Sequence, residues 1–344
     1  MGASPLPRKA SRNKVSEHRG LQHHWYRITP LHLILFPLSI IFRLLAGMRR
    51  WLYRIGFLAS EKLPVPVIVV GNITVGGSGK TPLTLWLAQQ LIAHGWHPGI
   101  ISRGYGGKAK LPQAVLPSSD PGEVGDEPLL MARRKLCPVW IGRCRPDAAR
   151  ALLQAHPECD VIVSDDGLQH YRLQRDVEIA VVDGVQRFGN GYLLPAGPLR
   201  EPVARLAQVD AVVIHGGTPD ADQYSMQLQG EIFYNLLNPE ITAHAADFRN
   251  QNLHAIAGIG HPQRFFTHLH QLGLKVHDHS FPDHYRYTPA DLTYDNADAI
   301  LMTEKDAVKC LAFATKNCWV LRVDAQLDSA LTHLILERIA PHGR

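Results

Sequence analysis

At 344 residues, 45% of them hydrophobic and 19% charged, the chain has a globular composition and enough length for one large α/β domain or two smaller ones, which excludes a disordered or collagen-like class. Five cysteines (Cys137, Cys144, Cys159, Cys310 and Cys318) show neither a C-x-x-C pair nor zinc-ligand spacing, so reduced thiols acting as small buried hydrophobes are expected. The formal charge of +5 favours an anionic partner, although Arg8, Lys9, Arg12, Lys14 and Arg19 concentrate part of it in residues 1–24, a polar stretch expected to be a disordered basic tail.

Residues 25–60 read as an amphipathic, membrane-anchoring helical segment. From Ile28 to Phe42 the chain runs 15 residues without a formal charge, bounded by Arg27 and Arg43. That falls short of the ~20 residues a spanning helix needs, and Pro30 and Pro37 are expected to break it. Beyond it, Arg43, Arg49, Arg50 and Arg54 alternate with Leu44, Leu45, Met48, Trp51, Leu52, Tyr53 and Phe57. An apolar face, a basic face and interfacial aromatics describe a helix lying in the headgroup region of an anionic leaflet. A buried amphipathic helix would show the same periodicity. A signal peptide is disfavoured, because no small-x-small cleavage site follows.

A P-loop core is expected over residues 61–222. The apolar β-branched run Val67 to Val70 leads through Gly71, Asn72 and Ile73 into Thr74, Val75, Gly76, Gly77, Ser78, Gly79, Lys80 and Thr81. Such glycines let backbone N–H groups converge on phosphate oxygens, while Lys80 can reach the β- and γ-phosphates and the Thr81 hydroxyl can ligate Mg²⁺. Those eight residues are the expected nucleotide-binding set. The pattern G-x-x-x-x-G-K-[ST] wants glycine where Thr74 stands, and Gly76 and Gly77 are expected to supply the missing freedom. A ligand-free glycine turn is the bland reading. The strand before the loop, and Leu83, Leu87, Ala88 and Leu91 at helical spacing after it, favour nucleoside triphosphate.

Further along, a strand is expected near Pro98 to Ser102, followed by the turn from Arg103 to Gly107 and a looser segment through Pro121. Gly125-Asp126-Glu127-Pro128 opens a helix with its acidic residues at the favourable end. Val139 to Ile141 is a short strand and Pro146 to Gln154 a helix. Asp160 to Ser164 is a buried strand ending in Asp165-Asp166-Gly167, and Asp176 to Asp183 and Val209 to Ile214 are further strands. Alternating strands and helices predict a doubly wound, mostly parallel sheet with ligands at the carboxyl ends of its strands. Residues 223–344 are expected to form a second, smaller α/β lobe. It starts with an antiparallel piece over Gln223 to Asn238. Then come strand His254 to Ile259, helix Pro262 to Leu272, strand Lys275 to Ser280, helix Pro289 to Asn296, strands Ala299 to Thr303 and Cys318 to Val323, and a final helix.

The apolar strand ending in Asp165 and Asp166 has the form of a Walker B element, which delivers the hard oxygen ligands Mg²⁺ requires. His170 lies at the same strand end and reads first as a structural or substrate-binding group. A kinase acting on an alcohol must also remove a hydroxyl proton. By residue type, Asp126 and His284 are the candidates, with a helix N-cap as the plainer role for Asp126.

Six motifs stand in one order: Gly71 to Pro82, Ser102-Arg103-Gly104-Tyr105-Gly106, Gly125-Asp126-Glu127-Pro128, Asp165-Asp166-Gly167-x-Gln169-His170, Leu194-Pro195-x-Gly197-Pro198-Leu199-Arg200-Glu201 and Thr303-Glu304-Lys305-Asp306. Together they resemble the tetraacyldisaccharide 4'-kinases, the lipid A 4'-kinases of Gram-negative bacteria, from about residue 25 to near residue 325. The resemblance implies a P-loop kinase at the cytoplasmic face of the inner membrane, held there peripherally or monotopically. Using ATP and Mg²⁺, it would phosphorylate the 4'-hydroxyl of an acylated glucosamine disaccharide 1-phosphate. It implies that Lys80 and Thr81 hold triphosphate and metal, that Asp165 and Asp166 are Walker B carboxylates, and that Asp126 is the general base with His284 paired to it. Glu127 and Glu201 would lie near the metal, and Arg200 near developing phosphoryl charge. Tyr105, Arg143 and His170 would contact the disaccharide or its 1-phosphate. Thr74 is similar to the family's own loop variant, whereas His261 departs from the family pattern and is expected to be incidental.

Two other classes compete. A P-loop GTPase would need a guanine reader, and Thr303-Glu304-Lys305-Asp306 has Thr and Glu where N-K-x-D has Asn and Lys. A soluble small-molecule kinase would use the N-terminal segment as a core helix. No basic stripe interleaved with stacking aromatics points to nucleic acid, and no feature points to an obligate protein partner.

Overall fold

The structure, a computed structural model, describes residues 25–26 and 30–340. The basic tail expected over residues 1–24 lies outside the described residues. In chain order the strands are β1 (Val67–Gly71), β2 (Pro98–Ser102), β3 (Gln113–Ala114), β4 (Val139–Ile141), β5 (Val161–Ser164), β6 (Val177–Asp183), β7 (Ala211–His215), β8 (Tyr224–Gln229), β9 (Ile232–Asn235), β10 (Thr242–His244), β11 (Leu253–Ala257), β12 (Val276–Ser280), β13 (Ala299–Thr303), β14 (Cys318–Leu321) and β15 (Asp324–Leu327).

They form two sheets. The larger runs β15-β8-β7-β6-β1-β5-β2-β4-β3 and is parallel from β8 to β4, with antiparallel strands added at both edges. Every residue of β1, β2 and β5 is buried, as a parallel sheet covered on both faces demands. Alternate residues go to opposite faces. Ile68, Val70, Ile100 and Val163 pack under the helix Lys80–Ala93, while Val67, Val69, Ile101 and Ile162 pack with Ala148, Ala149 and Leu152 of the helix Arg145–Ala155. The smaller sheet runs β10-β9-β14-β13-β11-β12. The helix Pro262–Gln271 covers one face of it through Phe265, Phe266 and Leu269.

The lobes do not divide at residue 223. β8 joins the large sheet by pairing with β7, and after the small sheet is complete the chain returns as β15 beside β8. The final helix Ser329–Ile339 then buries Leu331, Ile335 and Ile339 against the large sheet's core. The second lobe is therefore an insertion over roughly β9 to β14, entered from β8 and left into β15, two strands that pair antiparallel at the edge of the large sheet. The helix expected over Pro289 to Asn296 is only a 3-10 turn, Pro289–Leu292. A helix not foreseen, Glu304–Cys310, follows β13 directly, with Thr303 capping it by accepting from Asp306 N.

The N-terminal segment also differs from expectation. Leu31–Arg54 is one continuous helix of 24 residues with Pro37 inside it and Pro30 at its N-cap, giving about 36 Å at 1.5 Å per residue. Pro30 occupies a position where no intrahelical N–H is needed. The helix is long and apolar enough to cross a membrane. It is nonetheless attached to the body near both ends. Ser39 Oγ donates to Leu193 O at 2.8 Å, Asn190 Nδ2 lies 2.7 Å from His32 Nε2, Arg50 donates to Gln208, and Tyr53 stacks obliquely near Tyr171. Away from these contacts, Leu33, Ile34, Leu38, Ile41, Leu44, Leu45 and Trp51 are exposed.

The lobes are joined by Arg134, which is 7% exposed and follows the helix Asp126–Arg133. It donates to Glu304 of the second lobe at 2.6 Å, to Asp324 of β15 at 2.7 Å and to Val323 O at 2.6 Å. Burial pushes the Glu304 carboxyl upward, and Arg134 works against that. Arg134→Met is expected to cost about 3–5 kcal/mol of unfolding free energy in urea, since it strands a buried carboxylate, and a loss below about 1 kcal/mol would contradict this joint.

Candidate active site

The carboxyl end of β1 is where the sheet and a following helix make an anion cradle. Lys80 begins the helix Lys80–Ala93, so the first amides of that helix are free to face a ligand. Left-handed backbone falls at Gly76 (φ +108°) and Gly79 (φ +96°), while Thr74 lies outside that region, so a glycine is not needed at the variant position. A Cβ on Gly79 would stand 2.6 Å from His215 Nδ1 and 2.9 Å from Met226 Cε. Asn72, fully buried, donates to Ser78 Oγ at 3.1 Å, and Val75 N donates to Pro198 O at 2.9 Å, which ties the loop at both ends.

The neighbouring strand β5 delivers Asp165 and Asp166. Asp165 is buried, and its Oδ2 accepts from Ser102 Oγ at 3.1 Å while its Oδ1 has no hydrogen-bond partner. Burial pushes its carboxyl well above the ordinary range, with Glu127 and Asp166 adding to the rise. Asp166, at φ +46°, goes the other way: burial opposes ionisation, but Lys80 at 3.7 Å and Arg200 at 3.2 Å outweigh it and hold the carboxyl well below the usual range. Crowded carboxylates, one with an unpartnered buried oxygen, suit a hard cation. Among the described residues no three His, Cys, Asp or Glu side chains converge as a self-sufficient metal cage. That also suits Mg²⁺, which commonly takes one or two carboxylates and completes its shell with water and substrate phosphate. Thr81, Asp165, Asp166 and Glu127 thus fit the ion. Glu201, also named for the metal, is buried with both carboxylate oxygens committed, one accepting from Gln169 at 3.0 Å and the other from Tyr171, and with Arg205 at 3.8 Å. It braces the segment behind Arg200 instead.

The second lobe supplies the partner of Asp126. His284 Nδ1 lies 3.3 Å from Asp126 Oδ2, and His284 itself has left-handed backbone at φ +58°, a conformation that a non-glycine residue adopts at a cost. The Tyr105 ring is 5.5 Å from the His284 ring, so the Arg103–Gly107 turn closes over the same pair. His170 is held neutral, its pKa pulled down to about 3 by burial and by Arg145 and Arg103. Arg143 is exposed in the turn after β4. Between the lobes lies a cavity of about 650 Å³, with Lys80, Thr81 and Glu127 on one wall and His261, Arg264 and Lys305 on the other. His261, expected to be incidental, lines this cavity and lies 3.6 Å from Asp183, which Arg264 also engages at 2.7 Å.

Several members of the site carried no signal in the sequence. Arg145 is 1% exposed and donates to the carbonyls of Gly142, Asp165 and Asp166, fixing the Walker B turn from behind. Arg264 meets Asp183, and Lys305 meets Glu127, across the cleft from distant parts of the chain. Only the conspicuous Thr303-Glu304-Lys305-Asp306 run could have flagged one of them.

A phosphate-binding loop at a parallel strand's end, a Walker B pair beside it and a second lobe bringing an Asp–His pair to the cleft define a P-loop nucleotide-dependent phosphotransferase. Residues 31–340 match the family model for LpxK, described as tetraacyldisaccharide-1-P 4'-kinase. The tetraacyldisaccharide 4'-kinase of Methylobacillus flagellatus is 53% identical over 321 residues, 93% of this chain and 96% of that protein. That of Azoarcus sp. is 54% identical over 327 residues, 93% and 95% of the two chains. The crystal structure of Aquifex aeolicus LpxK in complex with ATP superposes with a TM-score of 0.76 at 32% identity, covering 90% of this chain and 99% of that one. The chain belongs to the tetraacyldisaccharide 4'-kinase family. Because both backbone sign and space exclude a side chain at Gly79, Gly79→Ala is expected to weaken ATP binding by at least about tenfold in calorimetry, roughly 1.4 kcal/mol, and unaltered affinity would contradict the cradle.

Proposed function

We propose that the protein transfers the terminal phosphoryl group of ATP to the 4'-hydroxyl of a tetraacyldisaccharide 1-phosphate, in lipid A biosynthesis at the cytoplasmic face of the inner membrane. The observation that carries the reading is the Asp126–His284 contact at 3.3 Å, one residue away from Glu127 in the wall shared with Lys80 and Thr81. A hydroxyl oxygen attacks the γ-phosphorus, its proton passes to Asp126, the bond to the β,γ-bridging oxygen breaks, and ADP leaves. His284 orients the carboxylate that accepts this proton, and Lys80, Arg200 and the loop amides stabilise charge on the transferring group. Thr81, Asp165, Asp166 and Glu127 would hold Mg²⁺, which when bound supplies charge neutralisation of the β- and γ-phosphates. Neutral His170 with Tyr105 and Arg143 would receive the disaccharide or its 1-phosphate.

The helix Leu31–Arg54 supports a lipid-borne acceptor. Its attachment near both ends favours a helix lying along the protein body with its outer side in lipid over one standing free across the bilayer. The family's reaction is tested by incubating the purified protein with γ-labelled ATP and the acylated disaccharide 1-phosphate. A doubly phosphorylated lipid is expected, and label that never reaches lipid would refute the reading. In the same assay Asp126→Asn is expected to lower kcat by about 10²–10⁴-fold with nucleotide affinity retained, as for loss of a positioned base. Activity restored in full at high nucleotide would make Asp126 a nucleotide or metal ligand instead. Flotation with anionic liposomes tests the anchor: the full chain should rise with the vesicles and a chain lacking residues 1–57 should float far less, whereas equal flotation would remove the helix from membrane binding.

A further inference from the structure

The base pair of the proposed reaction is assembled from two lobes, which leaves open what sets its geometry. Asp126 is on a helix of the core, and His284 is on the turn after β12 in the inserted lobe. A single contact of 3.3 Å to an imidazole that is 36% exposed is by itself a weak determinant of position. Immediately beside each member stands another carboxylate. Glu127 follows Asp126, and Asp283 precedes His284.

Both neighbours are held by one ammonium. Lys305 Nζ lies 3.2 Å from Glu127 Oε1 and 3.1 Å from Asp283 Oδ1, with only 15% of its side chain exposed. The same Asp283 oxygen accepts from His284 N at 3.0 Å, so the atom gripped by Lys305 also pins the left-handed backbone of His284. Lys305 is in turn mounted rigidly. On one side Glu304 is locked to Arg134, and on the other Asp306 is fully buried, accepts from Gly258 N at 3.1 Å and pairs with Lys309 at 2.8 Å.

We propose that Lys305 is a positioning residue for phosphoryl transfer, clamping Glu127 and Asp283 so that Asp126 and His284 meet in register across the cleft. The inference rests on the assignment of Asp126 as base. An ammonium suits the task better than a guanidinium, since it is a compact point charge with three donors that can serve two carboxylates approaching from different directions. Loss of the clamp shifts the base by a fraction of its reach to substrate, and displacements of about 1 Å in a catalytic group are known to cost on the order of 10²-fold in rate.

The experiment is a double-mutant cycle on the full chain, with Lys305→Met, Asp126→Asn and the combination, measuring kcat, KM for the acylated disaccharide 1-phosphate and affinity for a non-hydrolysable ATP analogue. Lys305→Met alone is expected to lower kcat by about 10–100-fold with analogue affinity and lipid KM changed less than about threefold. In the Asp126→Asn background the same substitution is expected to lower kcat less than about twofold further, because the group it positions is already gone. An equal loss in both backgrounds, a loss that appears in affinity and not in kcat, or no loss at all would each overturn the clamp. Lys305→Gln, with a circular-dichroism melt, repeats the cycle if the methionine variant does not fold. Wild-type kcat in Asp126→Asn would overturn the base assignment and the clamp together. A normal effect of Asp126→Asn beside an additive Lys305→Met would overturn the clamp alone.

Discussion

A helix N-terminus presents amide N–H groups with no partner inside the helix, and an anion placed there is stabilised by hydrogen bonds and by the helix dipole together. The helix Lys80–Ala93 offers that end at the mouth of β1, and everything of functional interest is arranged around it. The loop can turn so tightly only because Gly76 and Gly79 adopt left-handed backbone and because His215 and Met226 fill the space a side chain at Gly79 would take. The Walker B pair follows directly on β5, which is hydrogen-bonded to β1, so the carboxylates reach the same end of the sheet without any long connection. Burial and the neighbouring carboxylates push Asp165 toward the neutral form, while Lys80 and Arg200 hold Asp166 ionised, so the two members of the pair differ in charge.

The core alone does not complete the site. Among the described residues, the side chain paired with Asp126 is His284, and it comes from a lobe inserted between β8 and β15 of the large sheet. An insertion whose two ends enter and leave on adjacent strands is anchored at a narrow base. The cleft between the lobes is then spanned by charged contacts: Arg134 to Glu304, Arg264 to Asp183, and Lys305 to Glu127. Such contacts exchange more readily with water and substrate than an apolar seam does, which suits a cleft that must admit a nucleotide on one side and a lipid headgroup on the other.

Much of this architecture was legible because buried parallel strands are nearly continuous apolar runs. β2, β4 and β13 begin and end where Pro98 to Ser102, Val139 to Ile141 and Ala299 to Thr303 were expected to. β15 was not legible. Asp324–Leu327 is short and half polar, and only its pairing with Tyr224–Gln229, a hundred residues earlier, makes it a strand. The proposed break at Pro37 failed for a related reason: propensity speaks against proline in mid-helix, whereas the surrounding apolar residues and the docking of Ser39 keep the helix whole. In the site, residues named by motif were brought close to one another, while Glu201 was drawn away by Gln169 and Tyr171. Arg134 and Arg145 were invisible for want of any local pattern, and Lys305, although inside the Thr303-Glu304-Lys305-Asp306 motif, carried no sign of its partners. Lys305 and Glu127 are 178 residues apart, and a buried ion pair leaves no periodicity behind.

The measurement that bears most directly on the account is a crystal structure of this protein with Mg²⁺ and a non-hydrolysable ATP analogue. The account predicts the terminal phosphate within hydrogen-bonding distance of Lys80 Nζ and of the loop amides from Gly77 to Thr81, with the metal beside Asp165 and Asp166 and Asp126 opening onto the γ-phosphate. A triphosphate bound with Lys80 turned away from it, or with Asp126 facing a different space, would contradict the account.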